Sequence, residues 1–185
     1  TAFPPAGWSQ VNVANVSELW ERTATVGSQG STESMRYRNY DFYNGNHDEM
    51  RSGGYSFTGI SSATLNFDVA YRRYASNYSD SLAVLVSTDC GASFATVYYN
   101  GGTALSTVPG DYTSDGFVPT PSQWRTETID LSPYIGNQNV MISFQNRGHY
   151  GQNIYVDNIN LTGVVAAPGP NFGAAPATVC TGETV

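Results

Sequence analysis

The sequence predicts an all-β fold, a sandwich or a barrel, and three observations carry that expectation. Apolar residues recur with a period of two along most of the chain. Gly, Asn and Pro punctuate it at short intervals, and no window holds an apolar stripe at helical spacing over three turns. Weaker strand candidates come first, at 19–26, 34–40 and 54–58. The clearest follows at 64–73, where Leu65, Phe67, Val69 and Tyr71 alternate with Asn66, Asp68, Ala70 and Arg72. In 81–88, Leu82, Val84 and Val86 alternate with Ala83 and Leu85, so both faces of that strand are expected to be covered. Two weaker candidates, 93–99 and 124–129, precede Val140, Ile142 and Phe144, and then Tyr155, Asp157, Ile159 and Leu161, all at the same period. Asn44-Gly45-Asn46, Gly53-Gly54, Asn100-Gly101-Gly102 and Gly136-Asn137 supply the turns, and a single helical turn fits near 131–135.

Composition narrows the function. The 185 residues include eight Arg, no Lys and fifteen acidic residues, a formal charge of −7. With 40% hydrophobic and only 12% charged residues the chain can build a core. It has no basic tract for nucleic acid and no apolar run of membrane-spanning length. Thr1 follows no initiator Met or signal segment, so the sequence reads as an internal piece of a longer, processed protein. Residues 1–163 are expected to form the domain, 164–170 a small-residue and Pro linker, and 171–185 the truncated start of a next domain. Cys90 and Cys180 lack metal-site spacing and are expected to be unpaired, since a bridge needs the tail to fold back.

Catalytic motifs are missing. His47 and His149 stand far apart, neither belongs to a His-Glu-x-x-His pair, and no Gly-x-Ser-x-Gly elbow or phosphate loop occurs. A non-catalytic module is expected. Oxygen-bearing positions suggest a structural calcium instead, with Asp48, Asp80 and Asp157 as candidate ligands. Asp48 follows an oxygen-rich turn, Asp80 opens a strand beside a loop, and Asp157 shares a strand face with Tyr155, Ile159 and Leu161 that should point partly inward. A carboxylate buried there needs a metal, N–H donors or an arginine such as Arg72 or Arg147. For ligand contact the candidates are Tyr40, Tyr43, Tyr74, Tyr78 and Tyr150, which fall in expected loops. Rings with polar tips suit sugars and protein surfaces alike. Tyr71 and the three tryptophans are assigned to packing instead.

Several segments in order carry a family resemblance: Phe3-Pro4-Pro5-Ala6-Gly7-Trp8, then 65–72, 79–91, Trp124 with Ile129-Asp130-Leu131-Ser132, 140–144, and Tyr155-Val156-Asp157-Asn158-Ile159. Over about 1–162 the chain resembles the MAM-like jelly rolls called choice-of-anchor J domains, related to the cleaved-adhesin domains of bacterial surface proteases. The tail from Pro176 resembles the opening of a PKD-type domain. The resemblance implies an antiparallel β-sandwich of jelly-roll type, in a secreted or cell-surface multidomain protein of Bacteroidetes. It also implies structural calcium near the first and last strands. Related domains carry a Phe-Glu pair just before the Phe-Pro-Pro segment, and this sequence starts after that position. The expected function is a calcium-stabilised adhesion or carbohydrate-binding module. Its partners are an extracellular glycan or protein surface and the neighbouring domains of its own chain. The alternative is a spacer accessory to a secreted metallopeptidase or glycoside hydrolase, with no ligand of its own.

Overall fold

The structure, a computed structural model, describes residues 2–13, 18–42 and 47–167. Tyr43, the 44–46 turn and the segment from Pro168 onward, Cys180 included, lie outside them. The described residues form β1 (Trp8–Val11), β2 (Glu21–Thr23), β3 (Ser34–Tyr37), β4 (Glu49–Ser52), β5 (Ile60–Ala70), β6 (Ser81–Ser87) and β7 (Ala95–Gly101). A helical turn, α1 (Gly102–Leu105), precedes β8 (Arg125–Asp130), β9 (Met141–Arg147) and β10 (Ile154–Val165). The strands make two five-stranded antiparallel sheets, ordered β1-β4-β9-β6-β7 and β2-β3-β10-β5-β8. The expected antiparallel β-sandwich is therefore the fold.

Alternation does the sorting. The residues expected inward along 64–73, Leu65, Phe67 and Val69 on β5 and Tyr71 just past its end, face Leu82, Val84 and Val86 of β6 and Ile142 and Phe144 of β9 in one core. Phe67 sits at its centre, edge-on to Phe144 at 5.1 Å and to Tyr98 at 5.4 Å. β6 is buried along both faces, as its sequence predicts. Segment 54–58 is not a strand: it makes one isolated bridge, Tyr55 to Val140, while Phe57 drops into the core. The pairing falls instead to β1 and β4, which are only four residues each and leave little periodic signal. The expected turn at 131–135 is a 3₁₀ turn over Ser132–Tyr134.

Expectations about the face of β10 and the state of Cys90 are corrected. β10 carries a bulge at Asp157–Asn160, where Asn158 has φ +49°. The extra residue reverses the alternation: Ile154 and Val156 enter the core before it, Ile159 and Leu161 after it. Tyr155 and Asp157 consequently face outward. Tyr155 packs with Phe117 and Trp124 beneath the β7–β8 connection, in a satellite cluster. Cys90, expected to be unpaired, is disulfide-bonded. β10 also runs on to Val165, two residues into the segment read as linker, with Val164 opposite Ser62 and Val165 opposite Ile60.

Candidate functional site

Pairing of Ile154 with Tyr37 and of Tyr155 with Ala70 fixes three loops at one end of the sandwich: those leaving β3 and β5, and the one entering β10. Four of the five predicted tyrosines meet there. Tyr40, Asp41, Tyr74, Tyr78, Tyr150 and Gly151 line an open hollow of about 450 Å³. The rings form a chain: Tyr40 to Tyr74 at 6.3 Å, Tyr74 to Tyr78 at 6.1 Å, Tyr78 to Tyr150 at 6.0 Å. Tyr78 and Tyr150 are 45% and 46% exposed, far from the burial of a core ring. Tyr40 and Tyr74 are half-buried behind them. The fifth, Tyr43, lies outside the described residues.

Hydrogen bonds fix the turns that carry the rings. Ala75 and Tyr78 exchange both N–H···O bonds, at 3.2 and 3.1 Å, so Tyr74 and Tyr78 flank one tight turn. Asp41 is oriented by Arg38 at 3.3 Å, and Arg38 lies over the Phe42 ring. Tyr150 has φ +58°, a left-handed conformation that costs a non-glycine residue on the order of 1–3 kcal/mol. What holds it there is Asp80. This fully buried carboxylate accepts N–H bonds from His149 (2.7 Å), Gly151 (3.2 Å) and Gln152 (2.6 Å), and the Tyr71 hydroxyl at 3.2 Å. Burial pushes its carboxyl up, and the three amides and the hydroxyl oppose that rise. Burial, and then the charge of Asp80, pushes the Tyr71 phenol up, which keeps its proton in place as a donor. Gly151 is required beside them, because a Cβ built there would run into the Asp80 carboxylate. Asn39 and Asn146 exchange side-chain amide bonds at 2.9 Å and tie the first loop to the end of β9.

The three predicted calcium ligands do not converge. No group of three or more His, Cys, Asp or Glu suited to a metal occurs among the described residues. The four lone-pair positions of Asp80 are met by N–H and O–H donors, an arrangement built for donors rather than for a cation. Asp48 is fully buried and accepts the Tyr37 hydroxyl at 2.6 Å. Asp157 is half-exposed on the outer face, where it accepts the amides of Ser28 and Asn158, each at 2.8 Å. Its expected arginine partners are engaged elsewhere, Arg72 with Gly110 and Asp111 and Arg147 with Gln145. Asp157 does face a carboxylate, since Asp68 is its cross-strand partner. Burial works to raise the Asp68 carboxyl, but donors from Thr126, Asn158, Ser28 and Gln29 hold it below the ordinary range. His149 is exposed, with its imidazole against the Tyr150 ring at 6.3 Å.

Sequence reasoning missed Asp41 and the anchoring role of Asp80. The one local signal was the pair of glycines bracketing His149 and Tyr150, which marks a tight, exposed turn.

Two antiparallel sheets closed over one core, with aromatic loops gathered at one end, make this chain a β-sandwich module. No protein-family model matches it, and no curated protein matches it in sequence. Among solved structures it is similar to the K1 cleaved adhesin domain of Lys-gingipain from Porphyromonas gingivalis W83, with a TM-score of 0.62 and 14% identity over 89% of this chain and 93% of that one. The K3 cleaved adhesin domain of the same protein gives 0.60 and 18% identity over 85% and 92%. TmCBM61, solved in complex with β-1,4-galactotriose, gives 0.55 and 9% identity over 85% and 89%. At these identities the likeness is one of fold. No helix among the described residues is long and apolar enough to cross a membrane.

Proposed function

We propose that this domain is a non-catalytic adhesion or carbohydrate-binding module of a secreted or cell-surface protein, and that the tyrosine hollow receives a glycan. The observation that carries the reading is the exposure of Tyr78 and Tyr150 around a hollow that also holds Asp41. Rings offer flat apolar area to a pyranose at little entropic cost, and a carboxylate accepts its hydroxyls. A spacer without a ligand has no use for a left-handed Tyr150 held out by a buried carboxylate. The fold likeness to adhesin domains and to a module solved with a galactotriose supports the same reading.

Titration calorimetry against neutral oligosaccharides, β-1,4-galactotriose among them, tests it. Tyr78→Ala and Tyr150→Ala are each expected to weaken binding about tenfold, the equivalent of roughly 1.4 kcal/mol. Wild-type protein that binds none of them at millimolar concentration, or a Tyr78→Ala variant that binds unchanged, removes the glycan from the hollow.

Of the three calcium positions only Asp157 suits an ion. It is half-exposed and directly opposite Asp68, and like charges across a strand pair repel. We retain a structural calcium there as part of the proposal, with the carboxylate of Asp157 as its charged ligand; Asp68, 2% exposed and met by donors from Ser28, Gln29, Asn158 and Thr126, adds its charge but not a free oxygen. Calcium at a hundred times its Kd adds about 2.7 kcal/mol, a rise in Tm of roughly 5–11 °C for a domain of this size. Unfolding in millimolar calcium against EDTA is expected to reveal that rise, and Asp157→Ala to abolish it. Identical midpoints for the wild type dispose of the ion.

A further inference from the structure

The outer face of the β1-β4-β9-β6-β7 sheet carries a second constellation, separate from the hollow. Register sets its rows: Glu49 lies opposite Gln145, Gln145 opposite Ala83, and Ala83 opposite Tyr99. Arg51 lies opposite Ser143, and Arg147 opposite Ser81. Glu49 is only 5% exposed on this outward side. Its carboxylate accepts Arg51 Nε (2.7 Å), Ser143 Oγ (2.9 Å) and Gln145 Nε2 (2.7 Å). Burial works to raise that carboxyl, but these donors hold it below the ordinary range, so it carries its charge. Gln145 Oε1 in turn accepts Arg147 Nε at 2.6 Å. Each guanidinium lies on a ring, Arg51 over Phe94 at 4.5 Å and Arg147 over Tyr99 at 5.3 Å. Tyr99 is 54% exposed, with its hydroxyl bonded to Ser81 Oγ at 3.0 Å.

The Nη groups are the informative part. Among the described residues both guanidiniums make their hydrogen bonds through Nε alone. Six of the eight arginines form ion pairs there; Arg72 and Arg147 do not. Arg72 is used by the carbonyls of Gly110 and Asp111. Among the described residues Arg147 is thus a fixed cation with no carboxylate partner, on a chain of charge −7. Its ring and its Nε bond have already cost the side chain most of its freedom, so an incoming group meets a preorganised fork. Such a fork fits a planar or tetrahedral oxyanion with two parallel N–H···O bonds.

We propose that this face binds an anionic saccharide, with a carboxylate or sulfate group in the Arg147 fork, a second near Arg51, and the sugar ring against Tyr99. The exposed ring beside the fork favours a saccharide over an acidic peptide, which needs no flat partner.

Calorimetry with full-length chain and four probes of matched length tests the proposal: galacturonic acid oligomers, the same oligomers with their carboxyls reduced, a sulfated dextran oligomer, and polyglutamate. The uronate or the sulfated oligomer is expected to bind at least tenfold more tightly than the neutral one, and which of the two does so identifies the anion. Arg147→Gln is expected to lose about tenfold, Arg147→Lys to recover part of it, and Arg51→Gln to lose several-fold. Tyr78→Ala, in the other site, is expected to leave this binding unchanged, so failure of one site does not imply failure of the other. A Tm of Arg147→Gln within 2 °C of wild type certifies the fold, and Arg147→Lys carries the comparison if it is not. The proposal is overturned if no anionic oligomer binds, if the reduced oligomer or polyglutamate binds as well as the anionic saccharides, or if the Arg147 variants match the wild type.

Discussion

Asp80→Ala is expected to cost about 3–5 kcal/mol and to abolish glycan binding in the hollow. The substitution removes one buried carboxylate and strands the amides of His149, Gly151 and Gln152 together with the Tyr71 hydroxyl. Each stranded donor in a dry site carries a desolvation penalty of about 1–3 kcal/mol, partly relieved when the loop relaxes toward water. For a domain of this size the loss corresponds to a fall in Tm of roughly 6–20 °C. Relaxation also releases Tyr150 from its left-handed conformation, and the last ring of the chain goes with it. Asp80→Asn separates the two effects. It retains the shape and one acceptor but turns an NH₂ toward backbone N–H groups, so it should fold better than Asp80→Ala and still bind poorly. A midpoint within 2 °C of wild type for Asp80→Ala would show that the loop holds its shape without the carboxylate.

Phe67→Ala is expected to be equally destabilising by another route and harmless to the site. Phe67 is fully buried between Phe144 and Tyr98, both edge-on to it. Truncation forfeits its transfer energy and leaves a cavity between two sheets that cannot close far, at a cost of about 3–5 kcal/mol. Urea unfolding should show that loss with an unchanged m-value, while the folded fraction binds glycan with wild-type affinity. Weakened binding by the folded protein would mean that the loops depend on core packing as well as on Asp80.

The two variants mark out what was legible in the sequence. Phe67 was legible because its neighbours Leu65, Val69 and Tyr71 repeat every second residue, and that period alone assigns a face. The tyrosines of the hollow were legible as a class, since rings in Gly-, Asn- and Ser-rich loops have no core to enter. Local pattern failed wherever the cause was not local. β1 and β4 are too short to show a period. One inserted residue at Asn158 turned Tyr155 and Asp157 outward, against a pattern that read as continuous. Asp80 read as a metal ligand because a sequence gives the carboxylate but not its donors, which arrive from a loop some seventy residues later.

By itself, then, the sequence determined the class of fold, most of its strands and most of its inward faces, and the kind of residue exposed in its loops, because side-chain alternation and turn chemistry act between near neighbours. Only the tertiary structure decided that four of those loop tyrosines share one hollow, that Asp80 orders one of them, and that Arg147 faces outward with no carboxylate partner among the described residues. Those are outcomes of strand order and register, which bring together residues that no spacing along the chain relates.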